Sequence, residues 1–331
     1  MSIFFKEVME QPGAIRKTLQ DNQEKTFHTS KPLLLTGMGS SLAASELFVA
    51  LLNANGVQAT SLDNSELLYY YSREFLDKHQ VIVTSQSGES FEAIELVGRY
   101  PKLSAITNSP NSTLDKQSQS VFYTQAGKEE AIASSKSFTT TVALLLQIGS
   151  KMIGKDYTVA LEEAADVISE HIGKASMYME QIGSFFNPEK PILLLGRGPS
   201  IYTARQGALT LKETARIFSE ALSAPQFRHG PFELLEEKGV QVIFFNPKGE
   251  TYEINRNFVK EVADFGAKVL YVSDEGLLHE NVQSIEIPSI NEYVSVITYS
   301  LVIQLAAVEL AKKRGLVAGE AKIISKVTGK E

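Results

Sequence analysis

The sequence predicts an α/β protein built from two doubly wound parallel sheets in tandem, and three observations carry that reading. Short apolar runs of strand length alternate with longer helical stretches, as βαβ crossovers require. One run, Val81-Ile82-Val83-Thr84, breaks into hydroxyls, an amide and a glycine before the helical pattern Phe91 to Val97. The pattern then restarts: Lys190 to Ser200 (KPILLLGRGPS) lines up with Lys31 to Ser41 (KPLLLTGMGSS). A repeated α/β unit and a length of 331 residues agree on two domains, expected at 1–160 and 161–331.

Each element follows from local pattern. Residues Ile3 to Lys25 read as an amphipathic helical arm, with Pro12-Gly13 as a break or fresh start. Lys31 to Thr36 is the first strand; Gly37-Met38-Gly39-Ser40-Ser41 turns it into an Ala- and Leu-rich helix from Leu42 to Asn53. The glycines permit a tight turn there, and Ser40 and Ser41 can bond an anion. Further strands are expected at Val57–Thr60, Val81–Thr84, Leu103–Thr107 and Val121–Tyr123, with Asn108 to Ser112 as a βα loop. An apolar helix from Val142 to Ile153 closes the first unit, and a helical connector runs from Leu161 to Gly183. In the second unit, Val240–Phe245 matches the strand at Val81 and Lys268–Ser273 the strand at Leu103. A helix from Ala204 to Phe218 contains Glu213, and His229 follows in the turn Phe227-Arg228-His229-Gly230-Pro231.

Composition narrows the function. With 43% hydrophobic and 21% charged residues the chain is globular rather than disordered. A net charge of −7 argues against a nucleic-acid surface, which needs clustered Lys and Arg. No apolar run reads as long enough to span a bilayer, and Lys6, Glu7 and Glu10 interrupt any leader pattern at the start, so no membrane association and a cytoplasmic location are expected. The absence of cysteine excludes a disulfide framework, a thiol nucleophile and a thiolate metal site. No metal and no organic cofactor is expected.

The stretch Thr84 to Ser90 carries the chemistry. A buried strand ending in a Ser/Gly turn that feeds a helix aims backbone N–H groups and hydroxyls at one point, beside the positive end of the helix dipole. The plain alternative is an N-capped turn, which needs one hydroxyl; here Ser85, Ser87 and Ser90, with Gln86, fall inside six positions. The matching turn of the second copy, Asn246-Pro247-Lys248-Gly249-Glu250, lacks the serines, so one phosphate cradle per chain is expected.

Taken in order, these motifs resemble those of the double sugar isomerase (SIS) domain family, in particular the isomerase half of glucosamine-6-phosphate synthase and stand-alone amino-sugar-phosphate deaminases. The resemblance rests on Thr84 to Ser90, on Gly39-Ser40-Ser41 and on Ala133 to Thr140. Gly207-Ala208-Leu209, Leu211-Lys212-Glu213, His229-Gly230-Pro231 and Lys326-Val327-Thr328 complete it. It covers nearly the whole chain and implies two tandem αβα sandwiches of the SIS type. It further implies that Ser40, Ser41, Ser85, Gln86, Ser87 and Ser90 hold a sugar phosphate, and that Ile132 and Ser134 contact the sugar. Glu213 would move a proton between C1 and C2, His229 would help open the ring, often in a neighbouring subunit's site, and Lys326 would sit at the carbonyl on a closing tail. A homodimer with shared sites is implied, and the apolar Val142–Ile153 helix reads as a further sign of one.

Departures from the family pattern shape the substrate expectation. Thr210 stands where the synthase carries a second Lys, and Lys322, Ala318 and Ala321 replace residues usual in the tail. No glutaminase segment precedes the first unit, so the expected reaction releases ammonia: glucosamine 6-phosphate to fructose 6-phosphate plus ammonia. The alternatives are a fructosamine-phosphate deglycase, an aldose/ketose phosphate isomerase, and a non-catalytic phosphosugar-binding regulator.

Overall fold

The computed structural model describes residues 1–27 and 30–329. In chain order the elements are α1 (Ile3–Met9), α2 (Gln11–Asp21), β1 (Leu33–Gly37), α3 (Gly39–Ala54), β2 (Ala59–Asp63), α4 (Asn64–Tyr70), α5 (Arg73–Asp77), β3 (Gln80–Thr84), α6 (Phe91–Arg99), β4 (Ser104–Thr107), α7 (Thr113–Gln117), β5 (Ser120–Tyr123) and α8 (Lys136–Met152). They continue as α9 (Thr158–Ile172), α10 (Ala175–Phe185), β6 (Ile192–Gly196), α11 (Ser200–Ala215), β7 (Ser219–Ser223), α12 (Ala224–Arg228), β8 (Gln241–Asn246), α13 (Tyr252–Asp264), β9 (Lys268–Ser273), β10 (Val282–Glu286) and α14 (Ser295–Lys313). A 3₁₀ turn, Pro231–Glu236, follows α12.

The chain clusters into two compact units, each around one five-stranded sheet. The leading unit holds the order β2-β1-β3-β4-β5, and the trailing unit repeats it as β7-β6-β8-β9-β10. Every pairing is parallel. The inner strands β1, β4, β6 and β8 are buried along their whole length, which is why they read as continuous apolar runs instead of alternating ones. Leu34, Val81, Val83 and Ala105 pack under α6 in the leading unit; Leu193, Leu195, Val242 and Phe244 pack under α13 in the trailing one.

Four expectations are amended. Edge strands β7 and β10, counterparts of β2 and β5, have mostly half-buried residues and carry little apolar signal. The connector is two helices, α9 and α10, parted at Gly173-Lys174. The helix expected from Val142 begins at Lys136, because Thr140 and Thr141 return their hydroxyls to the carbonyls of Lys136 and Ser137 at 2.8 and 2.7 Å and can be buried in a helix. That helix is buried from Lys136 to Ser150 and packs on α3, so its apolarity is spent inside the leading unit and gives no sign of a dimer face. One helix does pass the length and apolarity of a membrane span: α14 has 19 residues, and 83% of its most apolar window is buried inside the protein, as in a core helix.

Packing in the trailing unit turns on Gly207. α11 approaches β6 and α14 so closely that a Cβ at this position would lie 2.6 Å from Leu194 Cδ2 and 3.0 Å from Ile303 Cδ1. Gly207→Val is expected to cost about 1–3 kcal/mol through overpacking, read as a lowered thermal midpoint. Gly98→Ala, on a helix with open space around it, should hold or raise that midpoint; equal midpoints for the two variants would refute the packing account.

Candidate active site

In the leading unit the chain leaves β1 toward β2 on one side and returns to β3 on the other, so the turns after β1 and β3 share the carboxyl edge of the sheet at its topological switch point. Crevices of this kind are where open α/β sheets bind ligands. Gly37 pairs with Thr84, which brings the ends of the two strands level. Ser40 and Ser41 occupy the first turn of α3, whose N-cap, Met38, offers no side-chain bond. Neither serine hydroxyl has a protein partner among the described residues.

The loop after β3 is fixed by its own backbone and by the β4–α7 turn. Gly88 has φ +63°, and a Cβ there would fall 2.2 Å from Ser112 Oγ, so only glycine fits. The Gln86 carbonyl accepts from Asn108 N at 3.0 Å and from the Thr107 and Ser109 hydroxyls at 3.2 Å each. The Glu89 carboxylate accepts from Thr113 N at 2.6 Å and Thr113 Oγ1 at 2.9 Å, tying the loop to the start of α7. Ser85 Oγ and Ser87 Oγ accept from Gly88 N and Glu89 N at 3.2 and 3.1 Å. Ser90 is the N-cap of α6, yet its hydroxyl makes no capping bond and lies 3.5 Å from Ser85 Oγ. The simple capping explanation of these serines therefore fails at the residue where it should apply. The Gln86 side-chain amide also has no protein partner among the described residues.

Lys326 lies in the same unit, on the tail. Its Nζ is 2.9 Å from Glu129 Oε2, and two residues further on Thr328 O accepts from Phe91 N at 3.0 Å, at the head of α6. Glu129 is a residue that sequence reasoning missed. Its side chain is fully buried and accepts from Ser137 N at 3.0 Å and Ser137 Oγ at 2.6 Å. Burial pushes its carboxyl up, but the Lys326 charge and the two Ser137 bonds outweigh burial and hold it below the usual carboxylate value. Beside it Glu130 is exposed, and nothing in the pair Glu129-Glu130 distinguishes the two by residue type.

The trailing unit holds the other expected residues. Ile132 and Ser134 are half-buried there, with Ile132 N donating to Gly319 O at 3.0 Å. Glu213 is half-buried near the C-terminal end of α11. On the same flank, one and two turns back, stand Thr210 and Gln206, joined by a 3.1 Å bond from Gln206 Nε2 to Thr210 Oγ1. Three buried atoms of this flank, Thr203 Oγ1, Gln206 Oε1 and Thr214 Oγ1, have no partner among the described residues. His229 is exposed and terminates α12 with its backbone N–H on Pro225 O and Gln226 O; Gly230, at φ +126°, then turns the chain into Pro231.

Glu213 and His229 are not brought together within this unit. α11 starts at the carboxyl edge of the sheet and descends about 20 Å to Glu213 at 1.5 Å per residue, whereas His229 follows β7 and α12 at the carboxyl edge.

Comparison with known proteins follows the same lines. A family model described as "SIS domain" matches residues 26–151 and 185–313. The glutamine–fructose-6-phosphate aminotransferases (isomerizing) of Thermococcus kodakarensis and Sulfurisphaera tokodaii are each 30% identical over 94% of this chain. The chain spans about half of their length, 55% and 53%. Among solved structures, the C-terminal domain of glucosamine-fructose-6-phosphate aminotransferase from Francisella tularensis superposes with a TM-score of 0.86 at 23% identity, covering 97% of this chain and 98% of that one. Glucosamine-6-phosphate deaminase from Thermotoga maritima gives 0.76 at 21%, covering 98% and 99%. Tagatose-6-phosphate ketose/aldose isomerase from Escherichia coli gives 0.80 at 18%, covering 98% and 96%. At these identities the superpositions speak to the fold alone.

The Glu129–Lys326 pair sets a pH dependence. A carboxylate held below its ordinary value near 4.5 contributes stability that is present above that value and is lost as pH falls through the lower folded one. Lys326→Met should cost about 1–3 kcal/mol at neutral pH by leaving the buried carboxylate without its cation, measured by denaturant titration. The deficit should shrink as pH falls below about 4.5, where Glu129 begins to take a proton in the unfolded chain. A deficit unchanged between pH 7 and pH 3.5 would refute this pairing.

Proposed function

The chain belongs to the SIS domain family, and on that premise we propose that it is a phosphosugar deaminase/isomerase acting on an amino-sugar 6-phosphate, converting glucosamine 6-phosphate to fructose 6-phosphate and ammonia. The observation that carries this reading is the loop Ser85–Ser90, fixed from beneath by Glu89, Gly88 and the β4–α7 turn, while the Ser90 hydroxyl makes no capping bond and the Gln86 side-chain amide has no protein partner among the described residues. Such a loop grips a phosphate without rearranging, so little ordering cost falls on binding.

In this reading Glu213 is the base. It takes the proton from C2 of the open-chain aldose and returns it to C1; the C2 amine becomes an imine, which water hydrolyses to the ketone with loss of ammonia. His229 exchanges protons with the ring oxygen, a task suited to an imidazole, whose ring nitrogens can donate and accept. Lys326, held by Glu129, faces the carbonyl. The neutral flank of Gln206 and Thr210 beside Glu213 supports an amine-releasing reaction, because a cation there would repel a protonated amino substituent.

The placement of Glu213 and His229 about 20 Å apart along the sheet supports a homodimer in which His229 serves the partner's site. Titration of fructose 6-phosphate and of ammonia separately during incubation with glucosamine 6-phosphate should show both appearing in equal amounts. Ketose without ammonia from an aldose phosphate would select the isomerase reading, and no turnover across a panel of amino-sugar phosphates and phosphorylated sugar–amino acid adducts would end the enzyme reading.

Glu213→Gln should lower kcat by at least about 100-fold, the scale of a lost general base, while phosphosugar affinity changes little. Mixing Glu213→Gln with His229→Ala chains should restore about a quarter of native activity, since half of the dimers are mixed and each carries one intact site. No recovery after full subunit exchange would refute shared sites.

A further inference from the structure

In the leading unit the strands β4 and β5 end level with one another, Thr107 beside Tyr123, so the residues that follow them, Asn108 and Thr124, leave the sheet side by side. Thr124 N donates to Thr107 O at 3.0 Å and continues the ladder by one bond. Past Thr124 the chain takes two left-handed residues: Gln125 has φ +55° and Gly127 φ +70°. Glycine adopts that backbone readily, whereas glutamine does so only where its surroundings hold it there. Thr124 and Ala126, on either side of Gln125, are both buried.

One side chain holds this turn. Asn108 Oδ1 accepts from Thr124 Oγ1 at 3.1 Å and from Ala126 N at 2.8 Å, and its Nδ2 donates to Gly127 O at 2.7 Å. The three bonds bracket Gln125, and they use the acceptor and the donor end of one amide, which fixes its orientation. The backbone of Asn108 serves the phosphate loop instead: its N–H donates to Gln86 O at 3.0 Å, beside the Thr107 and Ser109 hydroxyls on the same carbonyl. Asn108 is thus bonded on one side to the Ser85–Ser90 loop and on the other to the turn that leads, two residues past Gly127, to Glu129. The buried Glu129 carboxylate holds Lys326 Nζ at 2.9 Å.

We infer that Asn108 is a positioning residue that acts through Glu129 on Lys326. Its side chain sets the path of residues 124–127, and that path sets where the Glu129 carboxylate meets Lys326. Its backbone keeps the same residue in register with the phosphate loop, so the ion pair stands at a fixed offset from the phosphate cradle. Ser137 accounts for one flank of Glu129 but not for the direction from which the chain arrives. That the pair then serves turnover rests on the role proposed for Lys326; the link from Asn108 to the pair does not.

Denaturant titration of the native chain, Asn108→Ala, Lys326→Met and the double variant tests the link. Lys326→Met should lower the denaturation midpoint of the native chain, and should lower it by less than about half as much in the Asn108→Ala background, the non-additivity of residues in one hydrogen-bonded network. Because the backbone bond to Gln86 O survives the substitution, calorimetric affinity for inorganic phosphate should stay within about twofold of native. On glucosamine 6-phosphate, kcat should fall at least about tenfold with KM nearly unchanged, as for a displaced reacting group. Asn108→Asp keeps the bonds accepted from Thr124 and Ala126 and loses the donation to Gly127, so its kcat should lie between; it carries the same measurements if the alanine chain does not fold. Equal Lys326→Met shifts in both backgrounds, or a loss of phosphate affinity as large as the loss in kcat, would overturn the inference. Additive shifts in a chain that releases ammonia refute this link alone, and non-additive shifts in a chain that releases none refute the proposed reaction alone.

Discussion

The parallel pairing of β1 with β3 is the constraint on which the leading unit depends. A parallel pair cannot be closed by a hairpin, so the chain must cross over, and starting in the middle of the sheet sends its crossovers to opposite sides. Two turns are then forced to meet at one edge with helix N-termini behind them. The serine loop fills the opening that the topology creates, and Gly88 and Glu89 are the local conditions that keep it filled: one permits a left-handed turn against Ser112, the other ties the turn to α7. An anion held there meets backbone N–H groups already fixed before it arrives.

The same topology occurs twice in the chain, and its chemistry diverges at the switch point. In the leading unit neutral hydroxyls and amides surround the opening. In the trailing unit two arginines, Arg197 and Arg228, stand at that edge, and the second is paired with Glu261. A duplicated scaffold keeps the opening at the sheet edge without keeping the side chains that line it.

What could be read from residues alone followed burial. Strands buried on both faces, such as β1 and β6, announce themselves as unbroken Leu and Ile runs, and the recurrence of Lys-Pro and Gly-x-Gly makes the repeat plain. Edge strands β7 and β10 did not, because Ala221 to Ser223 and Val282 to Ser284 sit half in water and carry little apolar signal. Glu129 was invisible for a related reason. A buried acid and its exposed neighbour Glu130 are the same residue type, and only the tertiary placement of Ser137 and Lys326 separates them. The polar start of α8 misled in the opposite direction: threonines that suggest a loop are buried by bonding back to their own helix.

Sheet geometry also bears on the number of chains in a working site. A general base and a ring-opening acid must both lie within hydrogen-bond reach of one sugar, a span of a few ångströms from C2 to the ring oxygen. On α11, Glu213 sits a helix length below the edge at which His229 emerges, and no side-chain rotation covers that distance. Either the two residues do not share a substrate, or the imidazole comes from a second copy. An isologous pairing gives the second arrangement at no added cost in sequence, since one contact made twice completes two sites. An exposed His229 fixed by Gly230 in a turn that no other residue tolerates is the form such a donated group would take: rigid in the backbone and unspent in its own chain.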